Sequence, residues 1–590
     1  MNILVLHNNN VPFFLRSAEN FVLDGITVDS KLLKYDSSSQ SYDFDGFISE
    51  KLYFLKDKDY DLIVIPFTFN LENYLELTGL RVAAHIRLTP SWRKITTPIL
   101  FVGSDSRETI EKLSKLGSIV NSYHVFLTNS KEEKTLVEEL RNIVNHYPCD
   151  DDDSYLHSGK YKNFLNTLDI SAPSNYGTHH SIANEWAIIR WIQMFSWNGQ
   201  EPEIGNKSVL NMLYFKYLMA KEGARELFTK NWKRKHPFEP VIRGIKGKKI
   251  LYIDDEGGKG WYNLLNAIFK NSDSELFTYP FENNLSKEDL VVALESYIDE
   301  HKADCYLIDL RLHDDDFKKD VSPKDYTGIL LADYIKKKNI GNQVVMFTAS
   351  NKSWNYKEAI KVAKVDDYVI KESPEYNYSR YDTYQNFCKF SDVIQNAIKK
   401  SYIADYLDII ESYTFLKDEH RNPLVNFVEM LALDEERTIR TNILNLSVFI
   451  ESYILDHLST TLSETHLTIK DDETKRICQI SPKRFTFNDD YSVVTIHDKP
   501  QPKHSSYKLL NPRINLGVII LALYYYFGFN QDECNSYLAF RKERNKRAHE
   551  GEECDYSLTE LREVFEEIVL KLLKKGPITI NEFTDINLRT

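Results

Sequence analysis

Asp254 and Asp255 close the apolar run Ile250-Leu251-Tyr252-Ile253, and Asp309 closes Cys305-Tyr306-Leu307-Ile308. Carboxylates brought to one edge repel each other and hold protons unless a cation neutralises them. A hard divalent ion such as Mg2+ takes oxygen ligands and keeps waters, which suits one or two carboxylates plus a phosphate. Thr348 closes Val344-Val345-Met346-Phe347, and Lys371 closes Tyr368-Val369-Ile370. A hydroxyl there can donate to one phosphoryl oxygen and an ammonium can neutralise another. Asp309, at the end of its own strand, is the natural phosphate acceptor. Tyr368, three residues before Lys371, is expected to turn inward once Thr348 is drawn toward a phosphate.

The elements that must position these groups are short apolar strands alternating with amphipathic helices, the pattern of βαβ units around a parallel sheet. Open sheets of this kind place their sites at the carboxyl ends of the strands. A weaker copy of the layout occupies the start of the chain, with Ile3-Leu4-Val5-Leu6, Asp61 to Ile65, Pro98 to Val102 and Tyr123 to Leu127 as strands. Thr78-Gly79 there answers to Thr327-Gly328 in the second copy. The charges are gone: His7-Asn8 replaces the acidic pair, Pro66 replaces Asp309, and Thr128 replaces Lys371. The fold class is therefore multidomain α/β plus α, with two flavodoxin-like doubly wound domains, a helical connector and a C-terminal α-helical domain.

The acid pair, the acceptor Asp, the Ser/Thr and the Lys stand in the order found in receiver domains of two-component response regulators, which the stretch from about Gly247 to Lys400 resembles. The resemblance implies phosphotransfer to Asp309 from a partner histidine kinase or phosphotransfer protein. It also implies Mg2+ held by Asp255 and Asp309, and by Asp254 through water. Two features depart from the pattern. The loop from His313 to Asp325 is longer and more acidic, and Lys371 is followed by Glu372 where the family usually has Pro. The N-terminal copy then resembles a degenerate receiver that serves as a dimerisation or sensing surface.

A third feature lies near the C-terminus, where Arg541 to Gly551 reads R-K-E-R-N-K-R-A-H-E-G. Asn545 and His549 stand at i and i+4 and share a helix face, flanked by Arg544. A His in a last helical turn is favoured as imidazolium. Arg with His is what metal-free RNA cleavage needs, one moving a proton and the other stabilising the phosphorane charge. The plainer alternative is a solvated basic helix face capped by Gly551. The R-N-x-x-x-H pattern late in a helical domain resembles the HEPN family (higher eukaryotes and prokaryotes nucleotide-binding). That resemblance implies catalytic roles for Arg544, Asn545 and His549, action on RNA, and a homodimer whose motifs meet.

Composition narrows the classes. With 590 residues, several domains are expected. The boundaries fall at 1–131 for the degenerate receiver-like domain, 132–247 for the connector, 248–400 for the phosphoacceptor domain and 401–590 for the helical output. The output is expected to carry an inserted hairpin between Thr468 and Lys508, with strands at Arg484 to Phe487 and Ser492 to Ile496. Lys and Arg number 74 against 87 Asp and Glu, a net charge of −13 that disfavours duplex DNA as a partner for the whole surface. Six cysteines without a C-x-x-C pair fit a reducing cytosol, so a cytoplasmic location is expected. The N-terminus lacks the basic region of a signal peptide. The longest apolar run, Leu516 to Phe529, falls short of the ~20 residues of a bilayer span, so no membrane partner is expected. The functional expectation is a phosphorylation-controlled response regulator whose output cleaves RNA as a stress or antiphage effector. Its rivals are a regulator with a non-catalytic protein-binding output and a DNA-binding transcriptional regulator.

Overall fold

The computed structural model describes the chain except residues 17–20, 35–43, 71–75, 173–180, 196, 198–201, 203–207, 229–237, 282–284, 319, 350–360, 375–377, 434–437, 463–466, 472–476, 481–522, 524–526, 549–555 and 576–590. Two units divide it: Met1–Ala332 with Val344–Asn396, and Asp333–Gln343 with Ala397–Thr590.

The first unit holds two sheets. The N-terminal one contains β1 (Asn2–His7), β2 (Phe21–Leu23), β3 (Ile26–Leu32), β4 (Leu62–Pro66), β5 (Ile99–Val102) and β6 (Val125–Thr128) in the order β2-β3-β1-β4-β5-β6. All pairings are parallel except β2 with β3. The sequence reading missed β2 and β3, although Asp24-Gly25 marks them. Both residues have positive φ, 47° and 80°, which a tight two-residue hairpin turn demands. Period-2 alternation sends Ile3 and Val5 to one face and Leu4 and Leu6 to the other.

The first of these faces is covered by the helix Glu133–His146 through Leu136, Val137, Leu140 and Ile143. The opposite face is covered partly by Tyr161, Phe164, Leu213 and Tyr217. Much of the segment expected as a separate connector thus covers both sides of this sheet, because a doubly wound sheet leaves both faces apolar and needs helices on each. The acidic run Asp150 to Asp153 anchors the chain here. Asp151 caps the helix Asp152–Leu156, and Asp152 accepts from the Thr96 backbone N–H at 2.9 Å and its hydroxyl at 2.8 Å.

The second sheet contains β7 (Lys249–Ile253), β8 (Glu275–Thr278), β9 (Cys305–Ile308), β10 (Val344–Thr348) and β11 (Asp367–Ile370), ordered β11-β10-β9-β7-β8 and parallel throughout. Without its antiparallel β2, the first sheet has the same order. The sequence reading also missed β8, a four-residue edge strand that begins on a charge. The shared order has a shared constraint. A Cβ on Gly79 would lie 1.9 Å from the Pro66 carbonyl oxygen, and one on Gly328 would lie 2.0 Å from that of Asp309. Each glycine lets a helix start directly against the residue that ends the central strand.

In the second unit, the helices Tyr402–Ser412, Asp418–Ala432, Ile439–His457, Gln531–Ala548 and Leu558–Val564 surround a core that includes Ile410, Phe427, Phe449, Tyr537 and Phe565. The last helix continues through Phe565–Val569 and Leu570–Lys575. A three-stranded antiparallel sheet, β12 (Leu458–Leu462), β13 (Leu467–Asp471) and β14 (Ile477–Ile480), follows Ile439–His457. The expected hairpin strands at 484–487 and 492–496 lie outside the described residues. No described helix is long and apolar enough to cross a membrane.

Gly79→Ala and Gly328→Ala should each destabilise the first unit by about 1–3 kcal/mol, the cost of forcing a methyl into packed backbone. Urea midpoints followed by tryptophan fluorescence would show this; wild-type midpoints would mean that the helices can slide away.

Candidate functional site

The parallel register brings the ends of β7, β9, β10 and β11 together. The Asp309 N–H donates to the Ile253 carbonyl at 2.9 Å, so Asp254 and Asp309 leave adjacent strands side by side. The Lys371 N–H donates to the Thr348 carbonyl at 2.7 Å, which fixes the lysine beside the threonine. The buried Lys371 ammonium then reaches across the edge and donates to Asp254 Oδ2 at 2.5 Å and Asp309 Oδ2 at 3.0 Å. Asp254 also accepts from the Tyr252 hydroxyl and, at 2.8 Å, from the Glu256 N–H. Asp309 Oδ1 accepts from the Leu310 N–H at 2.6 Å.

The charge balance is negative. Ligand atoms of Asp254, Asp255 and Asp309 all lie within 4.8 Å of one another, against one ammonium. Loss of water and the neighbouring carboxylates of Asp254, Asp309 and Glu256 push the Asp255 carboxyl upward, although its solvent-exposed face screens part of the repulsion. Burial raises Asp309, Lys371 opposes it, and Asp254 adds to it, leaving Asp309 pushed up to about 6. For Lys371, burial favours the neutral amine, but the two carboxylates outweigh it and keep the ammonium. Three hard oxygen donors with uncompensated charge fit a divalent cation such as Mg2+. Asp254, Asp255 and Asp309 would hold it.

Thr348 lines the same cavity as Asp255 and Asp309. Tyr368 does not: it is half-buried on β11, with the Lys389 ammonium 4.7 Å from its ring centre. The long acidic loop after Asp309 is folded by its own carboxylate. The fully buried Asp316 accepts from the N–H groups of Leu312 at 3.0 Å and Thr327 at 3.2 Å, and from Lys287 Nζ at 2.6 Å.

The sequence reading missed the groups supplied from outside this sheet. The helix Ser181–Met194, whose Ile182, Trp186, Ile189 and Ile192 stand at helical spacing, lies against the site. Trp191 is fully buried edge-on to Trp261 and near Phe387 and Phe390, with ring centres 5.3–5.6 Å away. Its indole donates to Glu372 at 3.1 Å, and the Thr383 hydroxyl donates to the other Glu372 oxygen at 2.9 Å. Arg190 donates to the Thr383 hydroxyl at 3.0 Å and pairs with Glu222. Glu372, the departure next to Lys371, is therefore the anchor for this helix. No spacing signal in the sequence pairs residues 181 positions apart.

On the N-terminal sheet the corresponding edge is closed by neutral groups. His7 Nε2 is 3.0 Å from the Ser30 hydroxyl, Asn8 donates to the Phe69 carbonyl at 2.6 Å, and the Thr128 hydroxyl accepts from the Ser130 N–H at 3.1 Å. Beside that sheet, Asp45 accepts from Arg81 at 2.5 and 2.7 Å, lies 2.9 Å from His85 Nε2, and accepts from the Leu213 N–H at 2.8 Å. Lys216 Nζ reaches Ser49 at 2.9 Å and His85 Nδ1 at 3.2 Å. Burial pushes His85 down to about 4, so it is a neutral bridge between Asp45 and Lys216.

In the second unit, Arg544 and Asn545 fall in the helix Gln531–Ala548, while His549 lies outside the described residues. Arg544 is 3.7 Å and Arg541 3.5 Å from the carboxylate of Glu451. The expected face joining Asn545 to His549 is not among the described side chains.

Burial pushes Glu372 up to about 7 despite Arg190 and the two donated hydrogen bonds. The native state thus binds a proton that the unfolded chain releases above about 4.5. Stability from this group is complete below that pH and is lost as pH rises through about 7. The loss is on the order of 3 kcal/mol. In urea melts across this range, Glu372→Gln should flatten the slope; an unchanged slope would locate the pH response elsewhere.

Residues 19–128 match the family described as the Inactive Receiver domain. No curated protein is similar enough to the chain to count as a match. Among solved structures, the response regulator TrrA from Thermotoga maritima, in complex with Mg2+ and BeF, is 20% identical over 24% of this chain and 98% of its own, with a TM-score of 0.17. NtrX from Brucella abortus, in complex with ADP, is 16% identical over 31% of this chain and 33% of its own, with a TM-score of 0.19. The receiver domain of Francisella response regulator 1452 is 17% identical over 24% and 99%, with a TM-score of 0.15. Likenesses this low do not bear on how the acidic site is read.

Proposed function

We propose that this chain is a phosphorylation-controlled response regulator in which Asp309 receives a phosphoryl group from a partner histidine kinase or phosphotransfer protein. The observation that carries the reading is the Lys371 ammonium, buried between Asp254 and Asp309 beside Asp255 and Thr348. Bound Mg2+ would neutralise phosphoryl charge. Asp309 supplies the attacking oxygen, Lys371 pairs with the incoming charge, and the Thr348 hydroxyl donates to a phosphoryl oxygen. The N-terminal sheet, with His7-Asn8, Pro66 and Thr128 in place of the charged groups, acts as a receiver-like body without that chemistry.

For the helical unit, the reading is a HEPN-like ribonuclease. Arg544 stabilises the phosphorane charge, His549 moves the proton, and Asn545 positions them, with two chains bringing their motifs together. A second reading is favoured by the ion pairs from Arg541 and Arg544 to Glu451. An arginine neutralised within its own unit suits a protein-binding output as well as catalysis.

A mixed RNA pool incubated with full-length protein, with and without Mg2+ and acetyl phosphate, tests both levels. Alkali- and hydroxylamine-labile phosphate on the wild type and none on Asp309→Ala is expected, with RNA cleavage lost in His549→Ala. Phosphorylation with intact RNA would support the protein-binding output. No phosphorylation in any condition would sink the regulator reading.

A further inference from the structure

We propose that Asn184, supplied by the helix Ser181–Met194, is a wall of the acidic pocket that brakes phosphoryl transfer to and from Asp309; this rests on the reading of Asp309 as acceptor. Asn184 is 2% exposed, and both ends of its carboxamide are engaged at the pocket. Its Oδ1 accepts from Trp261 Nε1 at 3.0 Å, and its Nδ2 donates to Glu256 at 2.5 Å. An indole N–H only donates and a carboxylate only accepts, so the two partners fix which way the amide faces. Asn184 lines the same cavity as Asp255, Asp309, Arg311 and Thr348.

That cavity measures about 30 Å3. It has room for about two water molecules, whereas a phosphoryl group on Asp309 brings three oxygens. The cavity also opens toward solvent, so a phosphoryl group can extend outward, and the residues lining the opening set the width of the approach. Asp255, Asp309 and Thr348 stand at strand ends fixed by sheet pairing, while Asn184 comes from a helix outside the sheet. Its position is set further along that helix by Trp191 on Glu372 and Arg190 on Thr383. The amide is neutral and bonds to none of Asp254, Asp255 or Asp309, so it governs space and water rather than cation affinity.

With an acyl phosphate, an Asp309 carboxylate oxygen forms the new bond to phosphorus. The bond from phosphorus to the acyl oxygen breaks, and the carboxylate leaves with the electron pair. In the return step, a water oxygen bonds to phosphorus and the bond to Asp309 breaks. Both water protons stay with the released inorganic phosphate, which leaves as dihydrogen phosphate, and Asp309 regains its charge. Asn184 narrows the approach of donor and water alike.

Full-length wild type, Asn184→Ala, Asn184→Ser and Asp309→Ala would be incubated with Mg2+ and acetyl phosphate, and labelled phosphate followed during loading and after donor removal. Mg2+ affinity would be read from tryptophan fluorescence. The expected result is loading and loss both faster by about tenfold in Asn184→Ala, and in the same direction in Asn184→Ser, at unchanged Mg2+ affinity. A residue that merely supports the fold would lower Mg2+ affinity and slow loading. Unchanged rates, or slower loading together with weaker Mg2+ binding, in a wild type that still loads Asp309 would overturn the proposal and leave the acceptor reading intact. If the wild type takes up no more phosphate than Asp309→Ala, the acceptor reading falls and the proposal falls with it.

Discussion

The arrangement of the second sheet turns on one buried ammonium. Lys371 has no water to solvate it, so its charge is tolerable only because Asp254 and Asp309 accept from it. Those carboxylates are equally dependent on the lysine. The mutual requirement fixes where β7, β9 and β11 must end relative to one another, and parallel register is what brings the ends together. With three carboxylates and one ammonium, the site keeps a surplus of negative charge that favours an incoming cation.

The connector extends this dependence. On one side, its helix Ser181–Met194 is fastened beside the lysine through Trp191, Arg190 and Glu372. On the other, Lys216 in the helix Leu213–Phe228 is fastened to Ser49 and His85, next to Asp45 on the N-terminal sheet body. The pair of Arg190 with Glu222 joins the two helices. Polar groups in a dry interior are costly unless matched, so each junction holds one specific geometry. The receiver-like body and the acidic site are thereby parts of one unit.

What the sequence revealed and what it hid divide along a physical line. Asp254, Asp255, Asp309, Thr348 and Lys371 were legible because each follows an apolar run, and strand ends are where a parallel sheet gathers its polar groups. The helix Ser181–Met194 carries an apolar period in Ile182, Trp186, Ile189 and Ile192. The strands β2, β3 and β8 were not legible: β2 and β8 are short edge strands with weak patterns, and β3 carries Asp29 and Lys31 in its apolar run, although Asp24-Gly25 was an available turn signal. Asn184, and the part played by Glu372, were hidden for a different reason. Each meets partners whose closeness exists only in the folded chain, and a lone Asn in a helix or a Glu after a Lys has no spacing to announce it. Tyr368 is expected to turn inward only when Thr348 is drawn toward a phosphate, and in this structure the Lys389 ammonium lies over its ring.

The matched glycines separate architecture from chemistry. Gly328 lets a helix abut the carbonyl of an acidic strand end, and Gly79 does the same against Pro66, where no acid remains. A glycine there answers to the close approach of backbone to backbone, so it would persist after the charges beside it have been lost. The two sheets within one unit form a natural matched pair, equal in topology and unlike in charge. The N-terminal body thus offers, within a single molecule, the same strand order with a neutral edge, against which the effect of the charged edge can be gauged.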